Sequence, residues 1–137
     1  MRYLGLDLGS RTLGVSISDK TGLIANTYTV IRHNEEYDKL IDEVKNIVKL
    51  ESIDRIVLGY PKNMNGSIGE KAKLSEEFKK KLEDNIGIEV ILEDERMTSQ
   101  IANSILLEGD ISRKKRKGKV DKVAATIILQ SYLDRRG

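Results

Sequence analysis

Residues 2–19 read RYLGLDLGSRTLGVSISD, and the parsing of that stretch decides the fold. Two runs of strand-forming residues, 2–8 and 13–19, flank the loop Gly9-Ser10-Arg11-Thr12. They lie close enough in sequence to pair as an antiparallel hairpin. A single carboxylate, Asp7, sits inside the first run, where burying an unpaired charge is costly. Strand alternation puts Gly5, Asp7 and Gly9 on one face and Leu4, Leu6 and Leu8 on the other. The carboxylate therefore shares its face with residues that have no side chain, which leaves space beside it.

Working outward, a third strand is expected over 24–32, with Thr21-Gly22 as the turn before it, so the first third of the chain forms a three-stranded meander. Tyr37, Leu40, Ile41, Val44, Ile47 and Val48 recur at helical spacing and predict a helix over 37–49. Ile56-Val-Leu-Gly-Tyr60 is a short apolar run of the kind buried on both faces of a parallel sheet, and Pro61 ends it by removing a backbone donor. A loop over 62–69 leads to a charged helix over about 70–84 anchored by Leu74, Phe78 and Leu82, with Gly87 as its breaker. A fifth strand is expected over 88–92. Beyond it, Thr98 or Ser99 can cap a helix carrying Ile101, Ala102, Ile105 and Leu106, with Gly109 as its stop. A basic linker then precedes a last helix over about 120–134.

The order βββαβαβαα argues for a five-stranded mixed sheet, three antiparallel strands plus two parallel ones, with helices on both faces. That is the arrangement of a ribonuclease H-like α/β fold. At 137 residues the chain is the length of one ordinary domain, expected over 1–137. Hydrophobic residues at 39% and charged residues at 34% place it among folded chains with a heavily solvated surface. There is no cysteine, which excludes disulfides, thiolate metal sites and cysteine nucleophiles and fits the cytoplasm. The chain runs directly into a strand at Arg2, and no apolar stretch approaches membrane-spanning length, so neither export nor membrane insertion is expected.

In a doubly covered sheet, ligands bind at the carboxyl ends of the central strands, and Asp7 lies near such an end. A structural carboxylate capping the hairpin loop is the plain reading of Asp7; a metal ligand is the sharper one. A second acidic group follows the fifth strand in Glu93-Asp94-Glu95-Arg96. Neighbouring strand residues point to opposite faces, so only one of Asp94 and Glu95 readily joins Asp7. The longer reach of Glu95 favours it, although periodicity leaves both open. A third acid, Asp121, shares a helix face with Ala124, Ala125 and Ile128, and the two alanines permit close approach to the sheet. Taken singly, the later acids read as helix-dipole partners.

Three acids together suit hard divalent cations such as Mg2+ or Mn2+. Two such ions about 4 Å apart can clamp the attacking water and the leaving oxygen of a phosphodiester. Residues 112–119, SRKKRKGK, hold six cations in eight positions directly before Asp121. Arg113, Lys114, Lys115, Arg116, Lys117 and Lys119 can neutralise phosphates and release counterions without reading sequence. Ser10, Arg11, Thr12 and Arg96 are further candidate phosphate contacts. With aromatics at 4%, a base-stacking platform is not expected. The one histidine, His33, precedes Asn34-Glu35-Glu36 and is expected in an exposed turn with no catalytic part.

Four blocks in order, GLDLGSRTLGVSISD from Gly5, GYPKNMNGS from Gly59, DERMTS from Asp94 and GKVDKVAATIILQSYL from Gly118, carry a family resemblance. Jointly they resemble the YqgF-type, Holliday-junction-resolvase-like proteins described as pre-16S ribosomal RNA nucleases. The resemblance spans essentially the whole chain. It departs at Tyr60, where the family more usually has leucine, and at Met97, where leucine is again usual. It implies a ribonuclease H-like fold and metal-dependent cleavage of structured nucleic acid, chiefly at the 5′ end of the 16S precursor during ribosome maturation. Asp7, an acid of Asp94-Glu95, and Asp121 match the family's acidic positions. Three alternatives remain: a resolvase of branched DNA, a non-catalytic RNA-binding module of ribosome assembly, and a fragment of an actin-like ATPase or sugar kinase, whose phosphate-binding hairpin DLGSRTLGVSISD also resembles.

Overall fold

The computed structural model describes residues 1–62, 65, 67–94 and 113–136, with residues 113–123 described through their helical backbone alone. Strands β1 (Tyr3–Leu8), β2 (Thr12–Ser18) and β3 (Ala25–Arg32) precede α1 (Tyr37–Leu50). Then follow β4 (Arg55–Tyr60), α2 (Glu70–Ile86), β5 (Val90–Asp94) and α3 (Arg113–Arg136). The strands form one sheet in the order β3-β2-β1-β4-β5. β1 pairs antiparallel with β2, and β2 with β3. β4 lies parallel to β1 on its other side, and β5 parallel to β4. The expected mixed five-stranded sheet is thus the observed one.

β1 is the central strand, and its alternation is expressed in packing. Leu4 and Leu6 are fully buried in a core with Leu13, Val15, Leu40, Val44, Phe78 and Leu82, under α1 and α2. Tyr3 belongs to the opposite cluster with Val57, Ile128, Leu129 and Leu133, under α3. Small residues let α3 settle onto this second face. Ser16 Oγ donates to the Ala125 carbonyl at 2.8 Å. A Cβ on Gly5 would meet Ser16 Oγ at 2.3 Å and Leu129 Cβ at 2.7 Å. Position 5 must be glycine for the helix to lie where it does.

The β2–β3 turn uses the expected Gly22, at φ 72°, but Asp19 organises it. Its carboxylate accepts the Thr21 hydroxyl and the amides of Leu23 and Ile24, at 2.9 and 3.1 Å. Those bonds, Thr21's foremost and then those of Ile24 and Leu23, hold the Asp19 carboxyl down at about 2.

Three local expectations differ from the structure. β5 begins at Val90 and runs through Asp94, two residues later than expected. α2 continues to Ile86 and closes on left-handed Gly87, whose N–H donates to the Glu83 carbonyl at 3.0 Å, so Ile88 still belongs to the connection. The strand then starts where it finds register with β4, Val90 opposite Ile56. The basic segment is no linker, because α3 starts at Arg113 and takes it in. Arginine and lysine are good helix formers, and one interior glycine, Gly118, weakens a helix by only about 1 kcal/mol. His33 is buried rather than exposed, for reasons that belong to the site below. The helix expected after Thr98 or Ser99 lies outside the described residues. Among the described residues no helix is long and apolar enough to cross a membrane.

Candidate functional site

β1 hands the chain to β2 on one side, while the connection after β4 leads to α2 on the other. The carboxyl ends of these adjacent parallel strands flank the crevice where such sheets bind ligands. Asp7 is there, half-buried, one residue before the end of β1. Its cross-strand neighbour is Gly14. Gly5, two residues back on the same face, and Gly14, directly across, place no side chain against the carboxylate from those two positions. Asp7 also borders a cavity of about 300 Å³, shared with Ser10, Tyr37, Pro61, Lys71 and Leu74.

The loop after Asp7 is held by hydrogen bonds. Gly9 N–H donates to the Thr12 carbonyl at 2.8 Å, closing the turn. His33 ties that turn to the entrance of α1. Its N–H donates to the Arg11 carbonyl at 3.0 Å, its Nε2 lies 2.9 Å from the Gly9 carbonyl, and its Nδ1 accepts the Glu35 amide at 3.0 Å. Because Nδ1 accepts from an amide, the neutral ring carries its hydrogen on Nε2 and donates to Gly9. Asn34 and Glu35, at φ 44° and 65°, occupy the left-handed region that non-glycine residues rarely adopt. The imidazole holds that strained turn, and its ring lies 5.2 Å from that of Tyr37. Burial of His33 depends on partners 22 to 24 positions earlier in the chain, which the polar run around it could not reveal. His33→Ala leaves the Gly9 carbonyl and Glu35 amide without this partner, and should cost about 1–3 kcal/mol. Urea unfolding measures it, and an unchanged midpoint would show that the clamp contributes nothing.

Burial, with the Glu35 carboxylate adding to it, pushes the Tyr37 phenol up, so it is neutral at pH 7. The ring also packs edge-on against Phe78, with centroids 6.4 Å apart.

Ser10 and Arg11 are exposed in the loop beside Asp7, and Thr12 is half-buried at the start of β2. Asp94 ends β5 opposite Tyr60. It is in phase with Val90 and Leu92, which pack into the core beneath α1 and α2. Glu93 has the other phase and is nearly buried, with both carboxylate oxygens taking Arg135 of α3 at 2.8 and 2.9 Å. That pair ties the end of α3 to β5, and the carboxylate's hydrogen bonds hold the Arg135 guanidinium up. Glu95 and Arg96 lie outside the described residues. Arg113, Lys114, Lys115, Arg116, Lys117, Lys119 and Asp121 lie in α3, described by backbone alone. Among the described residues no cluster of three histidine, cysteine or acidic side chains forms a metal cage.

α3 runs antiparallel to β1. Tyr3 meets Tyr132 edge-on, with centroids 5.7 Å apart, and the Arg136 guanidinium lies 5.1 Å from the Tyr3 ring centre. Two residues further along β1, Gly5 abuts Ala125 and Leu129.

Sequence reasoning passed over His33, Lys71 and Tyr37 as residues that shape this region. Of these, Lys71 alone carried a signal. It is a cation in the first turn of a helix, where the macrodipole disfavours one.

A family model described as "RuvX: Holliday junction resolvase" matches residues 1–135. A Bacillus subtilis (strain 168) protein described as "Putative pre-16S rRNA nuclease" is 47% identical over 135 residues, covering 98% of each chain. A Bacillus cereus (strain AH187) protein of the same description is 43% identical over 137 residues, covering 99% of this chain and all of that one. Among solved structures, Thermus thermophilus RuvC in complex with a Holliday junction substrate superimposes with a TM-score of 0.62 at 14% identity, covering 99% of this chain and 95% of that one. A ROK hexokinase from the same organism matches with a TM-score of 0.51 at 19% identity, over 75% of this chain and 38% of that one. The likeness to RuvC over nearly the whole length of both chains identifies the fold as ribonuclease H-like.

Proposed function

The chain belongs to the RuvX family, and from that premise we propose that it is a metal-dependent nuclease that cuts phosphodiester bonds in structured nucleic acid, with the 5′ end of pre-16S rRNA as its substrate. The observation that carries this reading is Asp7, a half-buried carboxylate at the carboxyl end of the central strand, with glycines clearing its flank.

Asp121 joins it by a register argument. Two strand residues rise about 6.6 Å and four helix residues about 6 Å. Stepping along β1 from Tyr3 to Gly5 moves the contact on α3 from Tyr132 back to Ala125 and Leu129. The next step, to Asp7, points to residues 121 and 125 of the helix, which supports Asp121 as a partner of Asp7. The phase of β5 supports Glu95 over Asp94 as the third acid: Glu93 faces α3, as Asp7 does, and Glu95 repeats that phase in sequence.

Asp7, Glu95 and Asp121 offer hard oxygen donors and nothing softer, a set that fits Mg2+ or Mn2+, with two ions proposed. The chemistry such ions supply is activation of water near neutral pH and neutralisation of charge on the departing oxygen. The chain's own residues do the rest. Asp7 holds its carboxylate in place from a rigid strand, while Ser10, Arg11, Thr12 and Arg96 contact neighbouring phosphates. The basic first turns of α3 draw in the polyanion. A ribosomal precursor as substrate implies the cytoplasm. Branched DNA is the second reading, favoured by the description of the family itself.

The test is cleavage of a pre-16S 5′ segment and of a four-way DNA junction by the purified protein, with Mg2+ or Mn2+ and with a chelator. Cleavage of the RNA that chelation abolishes is the expected result. Cleavage of the junction alone moves the protein to the second reading, and binding without turnover makes it an assembly module.

A further inference from the structure

We propose that the cavity beside Asp7 is a one-nucleotide subsite for the strand flanking the scissile bond, with Lys71 as its phosphate contact. The inference rests on the nuclease reading and deepens it.

Three independent features converge there. The first is size. At about 300 Å³ the cavity stands at the lower end of small-molecule sites, room for a single nucleotide and little more. The second is lining. Tyr37, Pro61 and Leu74 form an apolar wall, while Lys71 and Ser10 supply a cation and a hydroxyl. Tyr37 is fixed from behind by His33 and Phe78, so its ring is a rigid surface for a sugar or base rather than a mobile side chain. One aromatic ring makes a single contact, which suits one nucleotide and not a stacking platform.

The third feature is the charge of Lys71 itself. It occupies the second position of α2, where the positive end of the helix disfavours a cation. It is exposed and has no salt-bridge partner among the described residues, as is true of most lysines of this surface. Glu70 opens the same turn and offsets part of that placement. A phosphate in the cavity would offset more of it, since it attracts both the ammonium and the helix end. Glu35, also at the rim, opposes a second phosphate and limits the subsite to one.

The strand would then pass over Asp7 at the carboxyl edge of the sheet, one sugar-phosphate unit lodged between the loop after β1 and the start of α2. Lys71 acts there on binding and not on the chemical step.

The experiment is fluorescence anisotropy of labelled pre-16S 5′ RNA, titrated at several salt concentrations in the presence of chelator, so that no turnover intervenes. Lys71→Ala should lower the slope of log affinity against log salt by about 0.7 to 1, the share of one phosphate contact. Near 0.15 M salt that corresponds to about four- to sevenfold weaker binding. In cleavage assays the same variant should raise KM with kcat nearly unchanged. Lys49→Ala, at the far end of α1, is the control for general charge loss. A slope for Lys71→Ala equal to that of wild type, or matched by Lys49→Ala, overturns the subsite while leaving the nuclease reading intact. Wild-type protein that does not bind the RNA overturns both.

Discussion

Asp7→Asn is expected to leave the protein folded and to reduce metal-dependent cleavage by about 10³-fold or more. Asparagine keeps the size of the side chain and one carbonyl oxygen, so the packing of β1 between β2 and β4 survives. What it loses is the anionic charge, and a hard divalent cation binds a neutral amide oxygen far more weakly than a carboxylate. Asp7 is half-buried, and removing its charge relieves desolvation, so thermal stability should change little. Nucleic-acid binding in chelator should persist or strengthen, because a negative group has left the path of a polyanion. Cleavage by Asp7→Asn at the wild-type rate, with fold intact by circular dichroism, would remove Asp7 from the metal site and the nuclease mechanism with it.

Gly5→Ala should strain the contact between the sheet and α3. The added Cβ meets Ser16 Oγ at 2.3 Å and Leu129 Cβ at 2.7 Å, and stands 3.1 Å from the Ala125 carbonyl. Ser16 is a small rotor and can turn away, although its hydrogen bond to Ala125 is then lost. Leu129 Cβ is fixed by the helix, so α3 itself must shift. Overpacking of this kind costs about 1–3 kcal/mol, which urea unfolding will register. The catalytic loss should exceed what stability implies: α3 carries Asp121, and a displacement of about 1 Å at a reacting centre can cost about 10²-fold. The double variant Gly5→Ala/Ser16→Ala separates the two neighbours. It relieves the rotor but not the helix, and should remain destabilised and slow. Full recovery in that variant would place the conflict at Ser16 alone.

The elements that were readable from residue pattern are those whose determinants are local. The meander follows from alternation and from Thr21-Gly22. The α1 stripe, with Leu40, Ile41, Val44 and Val48 buried, follows from helical spacing. The end of β4 at Tyr60 follows from Pro61. The start of β5 was less legible, because a parallel strand begins where its neighbour offers register, and β4 lies about thirty residues earlier. The start of α3 is not legible in the sequence, because a dense basic run is equally compatible with a solvated loop and with a helix.

The candidate site divides along the same line. The sequence by itself determined that Asp7 shares its face with glycines, because a two-residue period needs no partner. It also carried the family, through four blocks whose joint order is specific. Only the tertiary structure decided that Ser16 and Ala125, 109 positions apart, bring α3 against β1. It likewise decided that Glu93 is engaged by Arg135, 42 positions away, so that it is an anchor for α3. His33 closing over Gly9 and Lys71 facing the same cavity as Asp7 belong to that second class. The physical reason is chain reversal. Alternation and helical spacing are properties of a few consecutive residues, whereas burial, ion pairing and the shape of a cavity depend on which distant segments the sheet brings side by side.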